Sequence, residues 1–167
     1  MEKKGRFLAE FVGYALVLAL LWRFLSASYA RIPVALAWAF LRLSGASDIQ
    51  LAVRGGMVSL SGNSGGVSVP ILDLTVNGIF FLALSLAGRR QRGRLEFLKL
   101  VGIGVAVLLA LQALVLALTG YGFGHQGELA TMVAKFLGGL ACFFLPILLW
   151  MLLFYFPHRA SIPRTEA

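Results

Sequence analysis

The 167-residue chain is 59% hydrophobic, holds only 13% charged residues and has a mean hydropathy of +0.87. A water-soluble domain of this size cannot hide that much apolar surface, so lipid must be the solvent for much of it. The formal net charge of +8 reads first as a topology signal. Contact with anionic lipid accounts for it without nucleic acid, since no separate basic domain exists.

Lys3, Lys4 and Arg6 precede the first apolar run, about residues 7–25. This start looks like a signal peptide, but no A-x-A-like site closes it, so an uncleaved first span is expected. Residues 32–43 (IPVALAWAFLRL) are short for a crossing, and a brief interfacial helix is predicted there. In residues 48–69 the runs IQLAV, MVSLS and VSV alternate with Gly-rich turns. That pattern predicts a small β-hairpin resting on the rim of a bundle. A second span is predicted over residues 71–88, opening ILDLTVNGIFF. The run over 95–119 is the cleanest span, and 132–156 is the last, ending in aromatics suited to a membrane interface.

Charge fixes the expected topology. Lys3, Lys4 and Arg6, then Arg89, Arg90, Arg92, Arg94 and Lys99, then His158, Arg159 and Arg164 flank the four runs. Four crossings put all three basic clusters in the cytoplasm, as the positive-inside rule demands. A crossing by residues 32–43 would turn the RRQRGR loop outward. Both termini are therefore expected inside, with about 26–70 external, on the periplasmic side of a bacterial inner membrane. The expected fold is one all-α membrane domain over residues 1–167. It is a four-helix transmembrane bundle with a short interfacial helix and a small external β-hairpin.

Polar groups inside such runs are costly and are candidates for function. Asp73 and Asn77 lie four residues apart, on one helical face. Asp73 falls near the outer boundary, where a first-turn acid suits the helix dipole. Asn77 lies a turn deeper and can bond across helices, as can Gln112 of the third run. His125 and Glu128 share the next external loop, where a histidine beside an acid can act as base or ligand. These five residues form the candidate polar or interaction site.

No catalytic residue is assigned. The single cysteine, Cys142, has no histidine or other base beside it in the sequence, and GNSGG lacks the lysine of a phosphate-binding loop. The two histidines fall on opposite sides of the expected bundle, so they cannot bridge a haem. No metal and no cofactor are expected.

The stretches VRGGMVSL (53–60) and VSV (67–69), followed by Asn77-Gly78 at the head of a span, resemble the C-terminal part of the exosortase/archaeosortase family. Those are multi-pass membrane transpeptidases of the cell envelope. The likeness covers most of residues 32–156. It implies a nucleophilic cysteine near Val76 or Asn77, an arginine within about 112–119 and a histidine corresponding to His125. The cysteine and the arginine are absent. Acyl transfer needs a thiolate and a positive group beside it, so transpeptidation is not expected. The resemblance implies instead a non-catalytic accessory protein of an exosortase-type sorting system, with another membrane protein as partner. The alternative is a small structural subunit of an unrelated membrane complex or transporter. A third reading is an enzyme at the outer face, which requires His125, Asp73 and Glu128 to converge.

Overall fold

Apolar and small residues recur at positions 22, 26, 29, 30, 33, 37 and 41, a spacing that keeps to one side of an α-helix. In the computed structural model they form a continuous stripe on α1, Glu2–Leu43, a helix of 42 residues. The structure describes residues 2–46, 48–62, 65–89, 93–124 and 128–155. The break expected after residue 25 does not occur, and residues 32–43 are not a separate interfacial helix. Pro33 lies inside α1 and is buried. It removes one backbone bond, but the flanking stripe of Trp22, Ala30, Ala37 and Leu41, all buried, holds the helix on both sides of it. A helix this long spans roughly 60 Å, about twice a bilayer's hydrocarbon core. Its end is closed by Gly45 at φ 84°. There the amides of Gly45 and Ala46 return to the carbonyls of Arg42 and Leu41 at 3.2 and 3.0 Å, which satisfies the final turn.

The expected hairpin is a three-stranded antiparallel sheet in the order β1-β2-β3. Its strands are β1 Gln50–Arg54, β2 Met57–Gly62 and β3 Gly65–Pro70. Gly55 and Gly56 join the first pair at φ 56° and 79°, the left-handed pair that a two-residue turn needs. Leu51, Val53, Val58, Leu60, Val67 and Val69 point to one face, toward the helices. Val-rich runs set between Gly-rich turns made the sheet readable.

β3 runs directly into α2, Ile71–Ala87, and the Ile71 amide bonds the Gly56 carbonyl at 2.9 Å. Then come α3, Arg94–Gly124, and α4, Glu128–Trp150, which continues into a π-helical turn, Met151–Tyr155. The four helices alternate in direction. The sheet lies at one end, and the start of α1, the end of α2, the start of α3 and the end of α4 meet at the other.

Two helical stretches, Gly5–Leu43 and Arg94–Gly122, are long and apolar enough to cross a membrane. Thr131–Gly139 and Phe144–Tyr155 would make a third only as a pair bent by 55°. Pro146 sits just past that bend. It lacks the amide that would bond the carbonyl four residues back, and its ring crowds that carbonyl. α2 has only 17 residues, yet it is the most enclosed helix, with buried positions all round its circumference. A short helix can sit at this depth because its neighbours shield it.

The interior divides into two clusters. Near the sheet, Ala30, Ala37 and Leu41 of α1 meet Val58, Leu60, Ile71, Ala113 and Leu116. At the opposite end Phe81, Phe97, Leu108, Leu149 and Phe154 pack together.

Candidate functional site

Four polar side chains are buried among the described residues: Thr75, Asn77, Ser85 and Gln112. Three of them gather where α2 passes between α1 and α3. Thr75 and Asn77 are two residues apart, so on a helix they face nearly opposite ways. The structure uses both directions. Toward α1, the Trp22 indole Nε1–H donates to Thr75 Oγ1 at 2.7 Å. Toward α3, Gln112 Nε2 donates to Asn77 Oδ1, also at 2.7 Å. α2 is thereby tied to one neighbour through a hydroxyl and to the other through an amide.

Thr75 itself donates to the Ile71 carbonyl one turn back, at 2.8 Å. That bond uses its only proton, a back-bond of the kind threonine makes inside helices. At Gly78 the face of α1 is near: a Cβ there would stand 3.6 Å from the Trp22 ring and 3.7 Å from the Tyr29 hydroxyl, in ordinary van der Waals contact. Trp22 and Tyr29 pack ring against ring at 4.9 Å. The Tyr29 hydroxyl faces the Gln112 side chain. It and Gln112 Oε1 are both buried with no other hydrogen bond closed among the described residues. A buried donor and a buried acceptor thus lie in the same part of the bundle.

The site is neutral throughout. It holds hydroxyl, amide, phenol and indole groups, and its hydrogen bonds run to neighbouring helices or back along α2. Among the described residues no three His, Cys, Asp or Glu side chains cluster to hold a metal.

Of the five residues singled out from the sequence, Asn77 and Gln112 come together. Asp73 does not join them, despite its spacing from Asn77. It lies in the first turn of α2 and is solvent-facing, because the helix has only just left the sheet at that point. Glu128 begins α4. His125 lies outside the described residues, and so does any convergence of it with Asp73 and Glu128. Trp22, Tyr29 and Thr75 were not singled out by sequence. Their signal is the stripe along α1, which puts Trp22 and Tyr29 two turns apart on the face that meets α2.

Compared with known proteins, the chain matches no family model, no curated protein and no solved structure.

Proposed function

We propose that this chain is a non-catalytic accessory or scaffold protein of a cell-envelope sorting system of the exosortase type. The observation that carries the reading is Asn77. Its place in the sequence is where the resemblance implies a nucleophile's neighbourhood. Its side chain is 1% exposed and its oxygen is bonded to Gln112. An amide in that position can join helices but cannot attack a carbonyl.

In this reading all four helices cross the bilayer of a bacterial inner membrane, with both termini in the cytoplasm and the sheet on the outer side. α1 supports a role as a subunit. Only 6% of its most apolar stretch is buried within the chain, and Leu16, Leu20 and Phe24 stand exposed. Such a face is available to lipid and to another membrane protein.

Two experiments test the proposal. With Cys142 replaced by Ser, an impermeant maleimide applied to intact cells should label Ser68→Cys and leave Arg94→Cys unlabelled. The reverse pattern, or equal labelling, removes the topology. Crosslinking in native membranes that contain a sorting transpeptidase should then recover that enzyme with the chain. Recovery of unrelated complexes alone would favour the alternative of a subunit elsewhere.

A further inference from the structure

The end of the bundle away from the sheet holds a cavity of about 570 Å³. That lies within the usual range for a small-molecule site. Phe11 of α1, Phe80 and Leu84 of α2, and Trp150, Met151 and Tyr155 line it. It lies between the first two helices and the segment that follows the bend in α4. The Trp150 indole Nε1 is buried and unpartnered among the described residues, but it faces Gly88, 3.3 Å from where a Cβ there would stand. The groove therefore offers hydrocarbon walls and little polar contact.

Its surroundings are basic. Exposed Arg89 follows Gly88, which abuts Trp150. Its guanidinium lies over the Phe97 ring at 5.7 Å, at the start of α3, where Arg94 and Lys99 are also exposed. Arg6 precedes Phe7, whose ring packs on Trp150 at 5.7 Å. Of the acids at this end whose side chains are described, Glu10 bonds Arg6 at 3.1 Å and Glu96 lies in the first turn of α3. An apolar slot at the basic end of the bundle matches an amphiphile with a hydrocarbon chain and a negative head.

We infer that the α1–α2–α4 groove binds an acyl chain of an anionic membrane phospholipid, with Arg89 at its rim holding the headgroup. The inference stands whichever way the sorting-system reading falls.

The test is native mass spectrometry of the full chain released from micelles containing equal phosphatidylglycerol and phosphatidylcholine. One phosphatidylglycerol should be retained in preference to phosphatidylcholine. Arg89→Gln, a surface change, should cut that preference roughly five-fold, the effect of one charge near an anionic headgroup. Leu84→Trp should fill the groove and abolish retention of either lipid while the circular dichroism stays unchanged. Equal retention of the two lipids overturns the inference, as does a preference that survives both variants. A dimer that Leu84→Trp splits gives the groove to a second copy and also overturns it. If Leu84→Trp does not fold, Arg89→Gln decides alone: an unchanged preference sinks the proposal.

Discussion

At the sheet end the helices meet through alanines, aliphatic side chains and hydrogen bonds; at the basic end they meet through rings. Ala30, Ala37, Ala113 and Ala117 keep the first backbones close, and the Trp22–Thr75 and Gln112–Asn77 bonds lie toward that end. Phe81, Phe97 and Phe154 fill the second, where Phe97 and Phe154 meet edge to face at 6.0 Å. Small residues bring helices together where no hydrophobic force drives them in lipid, and buried polar pairs then fix the register. Large rings fill space but leave gaps wherever a helix bends, and the groove beside Trp150 is such a gap. The closed end is built for shape, and the ringed end leaves room for a ligand.

The contrast can be broken most sharply at Gly104. A Cβ there would run into the Phe81 ring, and Phe81 is fully buried. Gly104→Ala must therefore push α3 away from α2, at a cost of about 1–3 kcal/mol for an overpacked core. Gly102→Ala, two residues away, has no heavy atom within 4 Å and should change nothing comparable. Denaturant unfolding in micelles compares the two. Phe81→Leu should restore part of the loss in Gly104→Ala. Equal effects from the two alanines would mean that the ring does not sit against Gly104.

At the closed end the test is a double-mutant cycle on Asn77 and Gln112. Asn77→Leu leaves the Gln112 amide buried without its acceptor, and stability should fall by roughly 1–2 kcal/mol. Adding Gln112→Leu should cost less than the sum of the two single changes, with a coupling of about 0.6–1.7 kcal/mol. Additive losses would deny that the two amides act as a pair. Trp22→Phe keeps the ring packing and deletes one donor to Thr75, so a loss of about 1 kcal/mol is expected.

What the sequence made legible follows the same division. The strands could be read because the Val-rich runs IQLAV, MVSLS and VSV lie between Gly-rich turns and are short of helix formers. The polar pair was half legible: Asn77 and Gln112 stood out as amides in apolar runs, but their pairing depends on the relative depth of two helices. The continuity of α1 was hidden. Pro33 and the serines at 26 and 28 look like a break, and only the buried stripe running through them says otherwise. The groove was not legible at all. It arises from the bend before Pro146, and its lining comes from three helices whose rotation no local pattern fixes.

The smallest expected effect lies on the sheet's outer face. Ser59 and Ser68 are cross-strand partners whose hydroxyls meet at 3.1 Å in an exposed position. Such a pair contributes about 0.2–1 kcal/mol. Ser68→Ala should therefore lower amide protection in β2 and β3 slightly, as read by hydrogen exchange, and leave the helices unchanged. Ser59→Ala/Ser68→Ala should lose no more than either single variant, because one bond cannot be removed twice. The sheet keeps its register because Val58, Leu60, Val67 and Val69 hold it from the other face. A loss that spread into α2 would show the outer face to be coupled to the bundle through the Ile71–Gly56 link. The two ends would then differ in how far a local change travels, as well as in how they are packed.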